Sequence, residues 1–524
     1  MRNIGKTLRK EQSLQTNIFS DPLTLDPRRQ SDNTSETLLR MLFEGLTRVN
    51  SDMSIKPAAA KSIEISLDRT VYLFHLAECK WSDGSIITAR DFAETWLDLL
   101  NPSFDAPNAH LLTPIKNAMQ AKRGEVPLSE VGIQALDDRT FRVELSAPFP
   151  AFLHLTAITY LAPICHRQEQ LYPKWSTEPE HHLCNGPFRL SEWKCGQEIK
   201  LERNPHYRGK SPKLNSVHFL ILNTDASALQ LIMYANGDLD LIGTTLAPIP
   251  LAYLKDLKAR QALYTAQVAS THFLAFNVHR FPFNNINIRK ALSTAINRRS
   301  LIEQITQLNE EPALGAVPPI LKKGRKVNWI HDGDIERAHE YLEKGLRELN
   351  VTKQALDGLT LMHGTQEIPF KVAQAIHEQW VDSLGIHVIL ESKEMKSVFA
   401  AATERTYHIG LFSWVADYCD VSALLERFRY ADEFKNYSHW SHPKYNELLD
   451  ASSRLDPDQR LEMLERAEKL LIDEMPIAPL FHGTFSYMVQ PNVKGFVLNP
   501  LGQISFDELS ISTERRSRKT RMQN

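Results

Sequence analysis

The residues best equipped for chemistry lie in the stretch Trp414-Val415-Ala416-Asp417-Tyr418-Cys419-Asp420. A carboxylate held beside an indole can meet a cationic group and shield it from water. The same carboxylates have a plainer use, because Asp417 or Asp420 can cap a helix predicted to begin near Val421. Spacing alone leaves both uses open. A nucleophilic Cys419 is poorly supported: acidic neighbours raise a thiol's pKa, and no local catalytic signature surrounds it.

Other constellations are weaker. His166, His181, His182 and Cys184 carry metal-capable side chains but lack ligand pairs at regular spacing, so no metal site is expected there. The five cysteines include no Cys-x-x-Cys pair. Phosphate-binding, dinucleotide-binding and nucleophile-elbow glycine patterns are all missing from the sequence. Neither an enzyme nor a cofactor is expected.

The elements that must position the 414–420 stretch can be read around it. His408–Phe412 is an apolar run predicted to be a buried strand, and Val421–Leu425 opens a helix. Carboxylates therefore stand where a strand ends, the place where open α/β sheets put their ligands. Upstream, Asp21-Pro22 and Asp26-Pro27 forbid a helix, and Ser35–Leu46 has helical spacing closed by Gly45. Strands are predicted over Ser62–Leu67, Thr70–Leu76 and Arg139–Leu145, with a hairpin turn at Asp83-Gly84. Thr88 with Asp91 makes a variant capping box for a helix reaching Leu100. A second block holds strands Glu198–Arg203, Ser216–Leu222 and Asp240–Ile242, and a helix Ala226–Ala235 closed by Asn236-Gly237. A third block opens on the strand Phe273–Asn277. Helices follow over Ile288–Ala295, Ile335–Leu349, Phe370–Leu384 and Gln459–Asp473, with short strands Thr360–Met362 and His387–Leu390. Strands alternating with long helices predict a substantially parallel, helix-covered sheet.

A chain of 524 residues is too long for one core and predicts two or three domains. A net charge of −2 gives no electrostatic footprint for nucleic acid, and no nucleic-acid partner is expected. The one dense basic run, Arg515–Arg521, reads as a solvated terminus. No apolar run is long enough to span a bilayer. The basic start Met1–Lys10 is followed by polar residues rather than an apolar core, so no export signal is legible in it. Either the chain stays in the cytoplasm or a precursor begins further upstream.

Several segments together resemble one family, the extracytoplasmic solute-binding proteins of oligopeptide and dipeptide ABC transporters. In chain order they are Asp21–Pro27, Leu42–Leu46, Trp81–Ser85 with Thr88–Phe92, Asn185–Phe188, Leu201–Tyr207, Phe276-Asn277, Arg289–Ser293 and Trp414–Tyr418. The resemblance implies an α/β, two-lobed clamshell of the periplasmic-binding type II kind with an additional small domain. One lobe would be discontinuous, built from residues 1–51, 170–270 and 491–524. The small domain would occupy 52–169 and the second lobe 271–490, with hinges near 270 and 490. The implied function is a monomeric receptor that captures a peptide between its lobes and delivers it to membrane permease subunits, in the periplasm or at the outer face of the cell membrane.

In relatives an aspartate at the position of Asp417 pairs with the ligand's α-amino group. The resemblance also places Ser31 and Asn33 beside the peptide backbone, Thr244 and Thr245 on the pocket rim, and Trp414 and Tyr418 at the pocket wall. Three departures stand out: Met395 replaces an indole, Asn108 stands where a tyrosine often lies, and Pro369 and Leu411 replace basic residues that receive the ligand carboxylate. Lys371 and Arg405 are the expected substitutes. A free Asp417 is expected to be unpaired. The alternatives are a receptor of the same fold for a nickel chelate, haem or modified peptide, and a cytoplasmic ligand sensor.

Overall fold

A computed structural model describes residues 12–50, 52–223, 227–433 and 435–512. The basic segments Met1–Lys10 and Arg515–Arg521, and Ala226 of the expected helix, lie outside the described residues. In a four-stranded sheet, Ser13–Ile18, Ser216–Ile221, Glu198–Arg203 and Phe188–Lys194 are neighbours in that order. Ser13–Ile18 runs parallel to Ser216–Ile221, so residues some two hundred positions apart share one sheet. The far end of the chain returns to the same place: Gln12 Nε2 donates to Ile511 O at 2.7 Å, and Ile511 N to Gln12 Oε1 at 3.0 Å.

A smaller antiparallel sheet, Ala60–Ile65, Val71–Leu76, Thr140–Glu144 and Ile133–Ala135, packs on the helix Ala89–Leu100. The alternating apolar residues predicted for these strands point Phe74, Phe141 and Val143 into a core shared with Phe92 and Trp96. Asp91 closes the helix start by accepting from Thr88 N at 2.7 Å and Thr88 Oγ1 at 3.0 Å. Gly84 turns the hairpin at φ +89°, a left-handed conformation that glycine adopts without the clash of a side chain.

The third sheet is organised by two thirteen-residue strands, Tyr264–Phe276 and Ile477–Val489, paired antiparallel. Their register breaks between Gln267 and Thr271 and again between His272 and Phe273. Leu241–Gly243 joins one end of this ribbon. Ile409–Val415 joins the other, followed by Thr360–Gly364 and Ile389–Lys393. The expectation of a largely parallel sheet holds only for the last three strands. The ribbon is antiparallel because the chain enters the second core along one strand and comes back along the other, after all the helices of that core have been laid down between them.

Helices Ile286–Thr294, Ile335–Leu349, Glu367–Leu384 and Pro457–Glu474 surround a second core around this sheet. Trp380 is fully buried in it and donates its indole N–H to Leu292 O at 2.9 Å. A buried ion pair also lies here. Lys322 Nζ is 3.1 Å from Glu468 Oε2, both side chains are 0% exposed, and Glu468 Oε1 accepts from Val317 N at 2.9 Å. Removing one member strands the other charge in the core, which typically destabilises by about 3–5 kcal/mol. Glu468→Leu is therefore expected to lower stability by that order in denaturant melts. The double change Lys322→Met with Glu468→Leu should recover much of the loss; a double variant as unstable as the sum of the singles would contradict the pairing.

Candidate functional site

Strand Ile409–Val415 delivers Asp417 to a cleft between the two cores. The strand aligns along Ser270–Phe276, and Ala416 N donates to Ala269 O at 2.8 Å, within the register break. On its other edge only Ile409 and Gly410 pair, with Leu361 and Met362, so the edge from Leu411 onward has no strand partner among the described residues. Alternation along the strand buries Trp414 and exposes Val415 to the cleft.

Two cavities meet at Asp417. One, of about 240 Å³, is walled by Gln30–Asn33, Glu36 and Arg40, by Asn108 and Tyr160, and by Val415–Asp417. The other, of about 280 Å³, lies between His110, Phe149 and Leu155 on one side and Tyr418, Ala423 and Arg427 on the other. Leu111, Asp417 and Lys435 line both.

The Asp417 carboxylate is already partnered. Its Oδ2 accepts from Arg427 Nη2 at 2.9 Å, and its Oδ1 from Lys435 Nζ at 3.3 Å. The expectation of an unpaired aspartate is corrected by these two cations. Burial pushes the Asp417 pKa up, but Lys435 and Arg427 outweigh it and hold the carboxyl well below its usual range. Arg427 is itself fixed: it donates to Val415 O at 3.0 Å, and its guanidinium lies 5.3 Å from the Trp414 ring centroid. Neighbouring His110 is kept neutral, burial and the nearby Lys435 pushing it down to about 3.

The two aspartates divide the roles that the sequence left open. Asp420 takes the structural one, accepting from Ser422 N at 2.8 Å at the start of the helix Ser422–Leu425 and pairing with both terminal nitrogens of Arg460 at 2.7 Å. Asp417 faces the cavities. Cys419 is half-buried, and burial beside Asp420 pushes its thiol up to about 11.

Of the residues singled out from the sequence, Ser31, Asn33, Asn108, Thr245 and Asp417 come together around the first cavity, and Tyr418 lines the second. Asn108 holds the cavity floor, donating from Nδ2 to Gln30 O at 2.9 Å. Thr244 does not line either cavity. It is buried at φ +65° and donates its backbone N–H to Ser486 O at 2.8 Å. Trp414 is corrected from pocket wall to support: only 2% exposed, it packs its ring 4.1 Å from Phe273 and carries Arg427.

Met395 begins the helix Met395–Thr403 and is half-buried beside Gly364, away from both cavities. Lys371 pairs with Glu367 at 2.7 Å on an exposed helix face, and Arg405 lines a shallow outer pocket with Asn277 and Arg280. Neither reaches the cleft. Among the described residues, Arg40 and Lys435 line the first cavity, and Lys435, Arg427, Arg429 and Arg460 the second. Arg40 Nε is buried without a hydrogen-bond partner, and Glu36 nearby accepts from Gln503 Nε2 at 2.9 Å. Arg40 had one available signal, since it sits one turn after Glu36 in a helix following Ser31–Asn33.

His166, His181, His182 and Cys184, at which no metal site was expected, each have a separate partner. His166 binds Asp98, His181 stacks on Tyr172, the ring nitrogen of His182 meets Leu25 O, and the Cys184 thiol faces Phe188 O. Asp98, His166 and Glu169 do converge. Arg28 occupies their centre, bonded to Asp98, Glu169 and Asp26.

The family model described as bacterial extracellular solute-binding proteins, family 5 Middle, matches residues 54–436. The oligopeptide-binding protein OppA of Bacillus subtilis is 34% identical over 96% of this chain and 92% of its own. OppA of Haemophilus influenzae, solved as a complex with the peptide RPPGFSPFR, superposes with a TM-score of 0.83 at 26% identity, covering 96% of this chain and 99% of that one. The murein tripeptide-binding protein MppA in its unliganded open form gives 0.76 at 27% identity, covering 96% and 98%.

A carboxyl held low in the folded state contributes stability above its unfolded pKa of about 3.9, and the contribution is lost as pH falls through the folded value. The stability gap between the parent and Asp417→Asn is expected to be widest at neutral pH and to narrow below about pH 4. Urea melts at pH 7 and pH 3 measure it. A gap independent of pH would contradict the charged pairing.

Proposed function

Because the chain belongs to the bacterial extracellular solute-binding proteins, family 5, we propose that it is a peptide receptor of an ABC importer. It acts outside the cytoplasmic membrane as a monomer, captures peptides between its lobes and passes them to permease subunits without chemical change. The lobe division expected from the sequence, 1–51 with 170–270 and 491–524, 52–169, and 271–490, is carried into this reading. The arrangement of the sheets supports it. The oligopeptide-binding relatives support the choice of peptide as ligand.

One observation carries the reading: from Leu411 onward the outer edge of the strand Ile409–Val415 has no strand partner among the described residues, and its end, Val415 with Ala416 and Asp417, lines the cleft, where Arg427 holds Val415 O. An extended peptide laid on such an edge gains backbone hydrogen bonds that do not depend on its side chains. Ser31–Asn33 and Thr245 face the peptide from the opposite wall. Asp417 takes the α-ammonium, and Arg40, with its unused Nε, takes a carboxylate. Lys371 and Arg405 drop out of this role.

Calorimetry with short peptides tests the reading. Losing Asp417 as a charge, or N-acetylating the peptide, is expected to weaken binding by roughly 2–5 kcal/mol, with the two changes together costing much less than their sum. Amidating the peptide's C-terminus should also weaken binding, and should do so far less in Arg40→Met. X-ray scattering should show the radius of gyration shrinking on saturation as the lobes close. A radius unchanged by demonstrated binding, or full additivity of the two amine changes, would overturn this account.

A further inference from the structure

Asp417 carries two cations of unequal standing. Arg427 is anchored at three points: the carboxylate, Val415 O and the face of Trp414. Its side chain is 8% exposed. Among the described residues Lys435 makes one side-chain hydrogen bond, at 3.3 Å, longer than the 2.7–2.9 Å usual between an ammonium and a carboxylate. It reaches that oxygen on a flexible four-carbon stem and lines both cavities, so space lies open to its head group on either side. Burial works against its charge, and Asp417 sustains it.

Glu36 lines the first cavity and Glu433 the second. The Asp417 carboxylate and the two cations bonded to it sum to a charge of +1 before any ligand arrives. A peptide α-ammonium arriving at the same carboxylate would make it +2 in a closed cleft, where like charges at contact distance repel far more strongly than in water. Arg427 cannot leave without giving up Val415 O and the indole. Lys435 can leave by rotating its stem.

We infer that Lys435 is a tethered stand-in for the ligand's ammonium, seated on Asp417 Oδ1 in the empty protein and displaced when a peptide with a free amine binds. This rests on the peptide reading of the cleft. It gives Lys435 a specificity role: it keeps the empty carboxylate paired and sets how much affinity a free amine can gain. Binding is then an exchange of one ammonium for another, so the gain from the ligand's amine is only the surplus over Lys435.

Two measurements test it on the full chain. The first needs no ligand: melts of Lys435→Met, Asp417→Asn and the double variant should show non-additive shifts, since the pair exists in the empty state. Additive shifts would overturn the inference whether or not peptides bind. The second compares trialanine with N-acetyl-trialanine by calorimetry. Lys435→Met should bind trialanine about tenfold more tightly than the parent, the scale of one lost charge competitor. Its affinity for the acetylated peptide should barely change. Lys435→Gln, which keeps a polar head of similar reach, should behave likewise and guards against a packing artefact. Equal or weaker binding of both peptides to both variants would overturn the inference, marking Lys435 as a bystander or as a receiver of ligand carboxylate. If the parent binds no peptide of any length while the ligand-free coupling is present, the peptide reading fails and the seat of Lys435 on Asp417 stands.

Discussion

The antiparallel pairing of Tyr264–Phe276 with Ile477–Val489 is the constraint from which the rest of the molecule follows. A ribbon of two thirteen-residue strands reaches from one core to the other: its outer end carries Leu241–Gly243 and its inner end carries Ile409–Val415. The register breaks at Gln267–Thr271 interrupt its ladder between those ends. A ribbon with an interrupted ladder twists more readily than a regularly paired sheet. Strand Ile409–Val415 stops at Ser270, and Ala416 bonds to Ala269 inside the break. Asp417 therefore sits just beyond the register break, in the cleft between the two cores, and in the reading proposed above a ligand held by it is held beside the bulge.

That position explains the electrostatics of the cleft. A carboxylate without partners in a closing interface would oppose closure, since burying a lone charge is costly. Arg427 and Lys435 remove this penalty before any ligand is present. The indole of Trp414 does its part from behind the strand, giving Arg427 a face to lie on. The aromatic residue beside the aspartate thus acts through the arginine rather than by touching the cavity.

How much of this was legible in the sequence depended on the range of each interaction. Local signals transferred well: the strand Glu198–Arg203 and the helix Ile335–Leu349 stand where periodicity put them, and Gly237 closes its helix in the left-handed conformation expected of a C-cap. The direction of sheet pairing did not transfer, because alternating strands and helices do not reveal that the chain enters and leaves a lobe on adjacent strands. In the cleft, the family pattern brought Ser31, Asn33, Asn108, Thr245 and Asp417 to one cavity although they span most of the chain. It failed for Lys371 and Arg405, chosen by nearness in sequence to positions that had lost their charge. Lys435 and Arg427 lie ten to eighteen residues beyond Asp417, past a helix and an irregular turn, and no periodicity connects them to it. Trp414 and Val415 could have been told apart by alternation alone, had the strand been carried through to Val415.

Motion in such a cleft is useful only if one wall stays still. Arg28, 1% exposed, bonds Asp26 on its own turn, Asp98 on the helix Ala89–Leu100, and Glu169 on the helix His166–Leu171. One guanidinium thus ties the segment leading into Gln30–Asn33 to the small sheet's helix and to the helix His166–Leu171. Asn108 adds a fourth link by donating to Gln30 O. The carboxylates outnumber the cation, and His166 makes up part of the difference. Burial disfavours its charge, but the hydrogen bond to Asp98 outweighs that and raises its pKa. The first wall of the cavity and the helix of the small sheet are therefore tied together, and in the clamshell reading proposed above the rearrangement that admits a ligand falls to the lobe that carries Asp417.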